Sequence, residues 1–167
     1  MKAVKSASAS PIDLQIIVGK RPWRVWKGVG SFLLFEFGRV YRCEDGNCRG
    51  AYTLWIYMAD WRIQDSRRML AHSESPDRSI HRAAEVITNK RLEGVVLSTV
   101  VLKRNVRYGV IFHFEGGYDL RATMYDGNID DEIFMLYSPQ GYLSYNSDGT
   151  ISSSVVDTRR TKHLGLC

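Results

Sequence analysis

The sequence lacks the features that would mark a secreted or membrane-bound protein. No apolar run approaches the roughly 20 residues that a membrane-spanning helix needs, and residues 1–10 contain no apolar core of a secretory signal. Cysteine is scarce, with 3 in 167 residues, and an odd count favours a reducing compartment. We therefore expect a cytoplasmic protein without membrane contact. Cys43 and Cys48 flank a short turn, and the sequence leaves open whether they form a disulfide.

Motifs of the common enzyme classes are missing as well. There is no G-x-S-x-G nucleophile turn, no phosphate-binding loop and no H-E-x-x-H zinc helix. A calcium loop of the EF-hand type that started at Asp126 would need Gly and Glu at the positions that hold Asp131 and Tyr137. We therefore predict no metal, no cofactor and no catalytic residue, and we lean towards a protein that is not an enzyme.

The net charge of +5 is distributed unevenly along the chain. Residues 11–110 hold 17 basic and 10 acidic residues, whereas residues 111–156 hold one basic residue against seven acidic ones. These two stretches nearly cancel, and most of the surplus positive charge lies in residues 1–10 and 157–167. A uniformly basic surface for nucleic acid is therefore not indicated.

Short apolar runs separated by turn residues predict that most of the chain forms strands. The clearest stretch, residues 107–156, is punctuated by GG, DGN, SPQG and SDG, which is typical of an antiparallel meander. Only one helical pattern interrupts the strands. The sequence thus predicts an α+β fold with a mainly antiparallel sheet, either a twisted meander or an open sandwich, and one principal helix packed on it.

We expect a single domain over residues 11–156, because the chain length matches the usual size of one domain. Residues 1–10 are predicted to be a disordered leader, and residues 157–167 a basic, frayed tail. The helix is predicted to begin after Ser75, a good N-cap residue, and to end before Gly94. Its apolar stripe recurs at helical spacing and consists of Ile80, Ala83, Ala84 and Ile87.

Glu36 interrupts the nearly continuous apolar run of residues 31–37, which indicates a central strand. An unpaired buried charge is costly, so this carboxylate needs a partner. The candidates are Arg24, Arg39 and Arg62, and a structural ion pair is favoured over a catalytic role.

The acidic cluster in residues 126–132 is the first candidate binding site. A loop with several carboxylates beside tyrosines suits a protein partner with a basic surface. We therefore expect a non-enzymatic binding protein, and the edges of an open sheet leave room for a homodimer. The residues assigned to the binding surface are Asp126, Asp130, Asp131, Glu132, Tyr142 and Tyr145.

Two alternative functions stay open. The first is a small-ligand-binding or enzymatic domain with a pocket between the sheet and the helix, and the residues assigned to it are Glu36, Trp55, Trp61, His113 and Glu115. The second is nucleic-acid binding, by base stacking on the tryptophans of the basic stretch. The second is disfavoured, because the RNA-binding strand motif that pairs basic and aromatic residues is missing.

The stretches GSFLLFEFG (30–38), WRI (61–63) and IFMLYSPQG (133–141) resemble small uncharacterised bacterial proteins. Some of these are similar to the immunity proteins that accompany polymorphic toxins. The resemblance covers roughly residues 15–150 and transfers no catalytic residue. It implies a small cytosolic protein, often carried on a mobile element, whose role is to bind another molecule.

Overall fold

The computed structural model describes residues 13–43, 46–88, 95–103, 109–124 and 132–155. Strands account for most of these ranges, and a single α-helix lies within them. In chain order the elements are β1 (Pro22–Lys27), β2 (Leu33–Arg42), β3 (Cys48–Ile56), β4 (Ala59–Gln64), β5 (Met69–His72), α1 (Asp77–Thr88), β6 (Leu97–Lys103), β7 (Gly109–Phe114), β8 (Tyr118–Met124), β9 (Glu132–Ser138), β10 (Gly141–Asn146) and β11 (Ile151–Val155). Two short 3-10 turns, Leu14–Ile16 and Glu115–Gly117, complete the set.

The strands form two antiparallel sheets, which confirms the predicted α+β fold. The six-stranded sheet has the order β1-β2-β3-β9-β10-β11, and the five-stranded sheet has the order β5-β4-β8-β7-β6. The stretch that the sequence presents as one meander is divided between them, because β7 and β8 belong to one sheet and β9 to β11 to the other. Turn residues predict where strands reverse, but they do not say which sheet a strand joins.

The two sheets face each other and share one apolar core. The rings of Phe35 on β2 and Phe114 on β7 lie 6.0 Å apart between their centroids, and those of Phe112 on β7 and Phe134 on β9 lie 5.5 Å apart. Each such ring is buried, and burial of a large apolar side chain stabilises a fold by about 1.5–3 kcal/mol. These contacts join the sheets into a sandwich.

A corner between β3 and β4 connects the sheets directly. Only Tyr57 and Met58 separate the two strands, and their N–H groups donate to the carbonyls of Ile133 and Glu132 at 3.1 and 3.2 Å. The N–H of Ala59 donates back to the carbonyl of Tyr57 at 2.9 Å, which is the tight bond of a three-residue turn. This turn shifts the alternation of side chains by one residue, so odd-numbered residues point outwards in β3 and inwards in β4.

Helix α1 forms with the apolar stripe that the sequence predicts, since Ile80, Ala83, Ala84 and Ile87 are all buried. It packs against β1 and β5, which are the edges of the two sheets on the same side of the sandwich. Ser75 lies before the helix, where its hydroxyl accepts the N–H of His72 at 2.9 Å. The helix therefore closes one side of the core.

Three further points raised by the sequence concern the cysteines, a membrane-spanning helix and the two ends of the sequence. Cys48 is an exposed free thiol, so no disulfide joins it to Cys43. In the ranges given above, no helix is long and apolar enough to cross a membrane. The predicted leader, residues 1–10, and tail, residues 157–167, fall outside the described residues.

Trp61 and Trp55 provide a matched test of the core. The indole N–H of Trp61, which is fully buried, donates to the carbonyl of Ser31, whereas the N–H of Trp55 has no acceptor among the described residues. We expect Trp61→Phe to lower the free energy of unfolding by about 1–3 kcal/mol, and Trp55→Phe by about 0.5–1 kcal/mol. Urea unfolding followed by circular dichroism measures both losses. Equal losses would contradict the placement of Trp61 in the core and Trp55 on the surface.

Candidate binding face

The outer face of the six-stranded sheet carries two rows of side chains that cross all of its strands. Successive residues of a strand point to opposite faces, and Phe35 and Phe37 lie in the core, so Glu36 between them points outwards. The strand register then defines the rows. The first row is Trp26, Leu34, Trp55, Met135, Ser144 and Ser152, and the second is Arg24, Glu36, Thr53, Tyr137, Tyr142 and Ser154.

Five rings on this side of the sheet contact one another, and we call them the aromatic face: Phe32, Trp55, Tyr57, Tyr137 and Tyr142. The ring centroid of Trp55 lies 5.7 Å from that of Phe32 and 5.0 Å from that of Tyr57. Tyr137 lies 6.1 Å from Trp55 and 6.0 Å from Tyr142. All five are half-buried, so each ring supports its neighbours and still presents part of its surface to solvent.

Two tryptophans of the first row leave their indole N–H groups unused. Among the described residues, Nε1 of Trp26 and Nε1 of Trp55 have no hydrogen-bond acceptor, although both atoms are buried. Buried donors are nearly always paired in folded proteins. Both residues flank Leu34 in the strand register. The two side chains therefore contribute apolar ring surface to this side of the sheet. Their indole N–H groups donate no hydrogen bond to another described residue.

Glu36 is the one carboxyl group of the second row, and it is fully buried. Its Oε2 accepts the N–H of Gly50 at 2.8 Å and the hydroxyl of Thr53 at 2.7 Å. Its Oε1 lies 3.8 Å from a guanidinium nitrogen of Arg49 and has no hydrogen-bond donor among the described residues. The β2–β3 pairing is irregular between Phe37 and Val40. The carboxyl group therefore accepts a backbone N–H at a bulge.

The predicted partners of Glu36 are wrong, because the ion pair is made with Arg49. Arg24 is the cross-strand neighbour of Glu36, but its guanidinium lies over the ring of Trp26, 5.1 Å from the centroid. The guanidinium of Arg39 lies over Tyr41. Arg62 belongs to β4, in the other sheet. The sequence could not reveal the bulge that brings Arg49 towards Glu36.

One end of the second row is basic. The guanidinium of Arg49 lies 5.7 Å from the ring centroid of Trp26, and that of Arg24 contacts the same ring. A guanidinium over a tryptophan contributes about 0.5–1 kcal/mol at an exposed site. These contacts hold both cations beside Glu36, so this end of the sheet presents two ordered guanidinium groups.

The other end of the aromatic face adjoins Glu132, the first residue of β9. Burial and, to a smaller extent, the negative charge of Glu132 raise the pKa of Tyr137 above its ordinary value of 10.0. Residues 126–131, which hold the rest of the predicted acidic cluster, fall outside the described residues. Of the acidic stretch, the described residue Glu132 begins the strand that carries Met135 and Tyr137.

The residues assigned from the sequence to the first binding surface are placed differently. Tyr142 belongs to the aromatic face, and Glu132 lies beside it. Tyr145 is fully buried in the core, where its hydroxyl donates to the carbonyl of Lys103 at 3.0 Å. Tyr142 and Tyr145 are three residues apart on β10, so they point to opposite faces of the sheet. Asp126, Asp130 and Asp131 are not among the described residues.

The five residues assigned to the alternative pocket are not brought together. Glu36 and Trp55 lie on the outer side of the six-stranded sheet, and Trp61 is in the core. Glu115 is exposed in a 3-10 turn. His113 points outwards from the five-stranded sheet, and its Nδ1 lies 2.8 Å from Asp119 Oδ1.

Asp119 also pairs with an arginine on the outer face of the five-stranded sheet. Arg121 donates to Asp119 Oδ2 at 3.1 Å, while His113 contacts the other carboxylate oxygen. The outer faces of the two sheets therefore differ, since one is mainly aromatic and the other carries a charged cluster. Across the described ranges, no three His, Cys, Asp or Glu side chains are grouped so that they could hold a metal ion.

A groove of about 220 Å³ does lie between the sheet and the helix, where the alternative function expected a pocket. It is lined by Trp26, Lys27, Ile80 and His81 among others, and by none of the five assigned residues. Lys27 Nζ lies 2.8 Å from Asp77 Oδ1, and its hydrogen bond and charge lower the pKa of that carboxyl group. The groove is smaller than the about 300–1,000 Å³ of typical ligand pockets.

Several residues of the candidate site were missed from the sequence. Phe32 and Tyr57 carry no motif, and Arg49 lies in a stretch that the sequence identifies only as following a turn. The signal that could have found part of the group is alternation, because it places Trp55 and Tyr57 on one side of their strand. Pairing of β3 with β9, which brings Tyr137 beside Trp55, has no local signal.

Comparisons of this chain with models of known protein families, with curated proteins and with solved structures found no match.

The buried carboxyl group gives a stability prediction. Glu36→Ala leaves the N–H of Gly50 and the hydroxyl of Thr53 without an acceptor, and we expect it to lower the free energy of unfolding by about 2–5 kcal/mol. Glu36→Gln keeps an acceptor and should cost about 1–2 kcal/mol. As a control, Glu115→Gln removes an exposed carboxyl group in a 3-10 turn and should cost less than about 1 kcal/mol. Chemical denaturation measures the free energy of unfolding of the three variants. A Glu36→Ala variant as stable as the wild type would contradict the role assigned to this carboxyl group.

The raised pKa of Tyr137 gives a second prediction. A group whose pKa is raised by folding contributes stability below its unfolded pKa, near 10.0, and this contribution is lost as pH rises through the folded value. Glu132→Gln should lower the pKa of Tyr137 but leave it above the ordinary value, since burial is the larger cause. NMR titration of ring-labelled tyrosine measures it. Glu115→Gln is the control, and equal pKa values in all three proteins would show that Glu132 does not act on Tyr137.

Proposed function

We propose that this chain is a non-enzymatic binding protein that receives a basic protein partner on its aromatic face. The single observation that supports this most is the aromatic face itself. Five rings in mutual contact stand half-exposed on the outside of a sheet whose other side already buries a full core. The rings on the inner side of the sheet form the core, whereas the rings of the aromatic face keep solvent-exposed surface that a partner could cover.

The composition of this side of the sheet is that of interaction hot spots. Tryptophan, tyrosine and arginine are enriched among the residues that contribute most of the binding energy in protein interfaces. Here Trp55, Tyr137 and Tyr142 share one side of the sheet with the guanidinium groups of Arg24 and Arg49, which both lie over the ring of Trp26. The rings are held by their neighbours before any partner binds, so little side-chain entropy would be lost on docking.

The acidic stretch suggests the charge of the partner. Glu132 adjoins the aromatic face, and Asp126, Asp130 and Asp131 precede it in the chain. Negative groups at the border of an interface favour encounter with a positively charged surface. A basic toxin domain is such a surface, and the proposal therefore includes an immunity-like role in the cytoplasm, as the sequence resemblance implies.

A second candidate function is supported by the groove between β1 and α1. Its residues Lys27, Asp77 and His81 could contact a small polar ligand. This alternative predicts that a captured protein partner is unaffected by changes in the aromatic face. Nucleic-acid binding makes a different prediction, namely that nucleic acid accompanies the protein and dissociates steeply as salt rises.

Affinity capture from the native host, followed by titration with the recovered partner, tests the proposal. Trp55→Ala and Tyr142→Ala should each raise the dissociation constant by about 30-fold, the effect of losing an interface hot spot. Triple charge reversal, Asp130→Lys with Asp131→Lys and Glu132→Lys, should weaken binding and reduce its dependence on salt.

His113→Ala serves as the control, because His113 lies on the outer face of the other sheet. It should leave the dissociation constant unchanged. Equal binding by the wild type and the two aromatic-face variants would refute this placement. Loss of the partner only in His113→Ala would move the site to the five-stranded sheet, and recovery of nucleic acid in place of protein would favour the nucleic-acid alternative.

A further inference from the structure

Among the described residues, the two sheets have four edge strands, and three of these are protected against pairing with another chain. An unpaired strand edge is a template for a further strand, and proteins commonly cover or interrupt it. The edges are β1 and β11 in the six-stranded sheet, and β5 and β6 in the five-stranded sheet. The edge strand that is least protected is therefore the one with which a strand of another chain could pair.

Strand β1 is protected in several ways. It begins at Pro22, which has no backbone N–H, and its pairing is irregular between Pro22 and Arg24. It ends at Lys27, and α1 packs against it. Strand β5 is only 4 residues long.

Strand β6 is also interrupted. Its pairing is irregular between Leu97 and Thr99, and the N–H and carbonyl of Leu97 are both bonded to the segment Gly19–Lys20. It ends at Lys103. Bulges and lysines of this kind prevent edge pairing.

Strand β11 has none of these protections. It contains only Ile, Ser and Val, pairs with β10 in continuous register, and is exposed along its whole length. The apolar side chains at its two ends, Ile151 and Val155, are 45% and 57% exposed. Within the described part of the chain, the six-stranded sheet ends at β11.

The hydrogen-bond phase of β11 determines which backbone groups point outwards. The N–H of Asn146 donates to the carbonyl of Thr150 at 2.9 Å, so this is a hydrogen-bonded pair. Such pairs alternate along an antiparallel ladder. Ser152 and Ser154 therefore direct their N–H and C=O groups towards β10, and the backbone groups of Ile151, Ser153 and Val155 point away from it.

The hairpin that presents β11 is well ordered before any partner arrives. Asp148 accepts the N–H and the hydroxyl of Thr150 at 2.8 and 2.6 Å. The side-chain amide of Asn146 donates to the hydroxyls of Thr150 and Ser152 at 2.9 and 3.1 Å. Gly141 allows a close approach to β11, since a Cβ there would lie 2.0 Å from the carbonyl oxygen of Ser154.

We propose that β11 pairs with β11 of a second copy of this chain, antiparallel about a two-fold axis at Ser153. The sequence Ile-Ser-Ser-Ser-Val is nearly the same in both directions. Pairing about Ser153 sets Ile151 opposite Val155 of the second copy and serine opposite serine, with no charge to repel. Ile151, Ser153 and Val155, whose backbone groups point away from β10, then each form a hydrogen-bonded pair with a residue of the second copy. A two-fold interface requires this self-complementarity.

Such pairing has a geometric consequence that goes beyond the proposed function and does not depend on it. The two-fold axis that relates neighbouring antiparallel strands is perpendicular to the sheet. The two six-stranded sheets would therefore join into one, with both aromatic faces on the same side. Ile151 of each copy would cover the exposed part of Val155 of the other copy, and Val155 would cover Ile151 in return.

Sedimentation of the full chain over a dilution series tests the proposal. The wild type should be a dimer that dissociates on dilution. Ser153→Pro removes an N–H that points away from β10, so the hairpin should remain intact while the dissociation constant rises by about tenfold or more. Ser153→Ala keeps the backbone and should behave as the wild type. Circular dichroism and thermal unfolding check that each variant is folded.

Cross-linking fixes the register. Ser153→Cys places two thiols at the axis, where Cα atoms of a hydrogen-bonded pair lie about 5.5 Å apart, a distance that a disulfide can bridge. Mild oxidation should link these positions, and peptide mapping distinguishes this bridge from any made by native thiols. Ser154→Cys faces Ser152 of the second copy and should link far less. A monomeric wild type, a dimer unaffected by Ser153→Pro, or equal linking at both positions would overturn the proposal.

Discussion

The corner at Tyr57 and Met58, which joins β3 of one sheet to β4 of the other, is the constraint on which the rest of the structure depends. The backbone N–H groups of these two residues donate to the carbonyls of Ile133 and Glu132, so β9 is attached at the same corner. The tight turn at Ala59 shifts the side-chain alternation by one residue. For this reason Trp55 lies on the outer side of one sheet, whereas Trp61, only a few residues later, is in the core between both.

The outer face of the six-stranded sheet differs in composition from the outer face of the five-stranded sheet. On the six-stranded sheet the rings cluster around Trp55, with Glu36 and Arg49 at one end. On the five-stranded sheet Asp119 joins His113 and Arg121. The ion pairs Glu36–Arg49 and Asp119–Arg121 each lie within one of the two stretches, so the basic and the acidic stretch of the sequence each neutralise part of their own charge.

Local patterns predicted much of this fold from the sequence, and the failures have a common physical cause. The stripe of α1 and the reversals between strands depend on neighbouring residues, and they were predicted well. The partner of Glu36 depends on a bulge, and the burial of Tyr145 follows from alternation with Tyr142, which the surface assignment overlooked. The division of residues 107–156 between two sheets depends on pairing with β3 and β4, which no local pattern encodes.

The distance in sequence between β3 and β9 also has a kinetic consequence. Trp55 and Met135 are cross-strand neighbours, and contacts between residues far apart in the chain form slowly because a long loop must close first. During synthesis β1, β2 and β3 are available well before β9 emerges. We therefore expect the side of the sheet that holds Trp55 to be assembled late, so that the nascent chain carries an unpaired β3 edge until β9 has been synthesised.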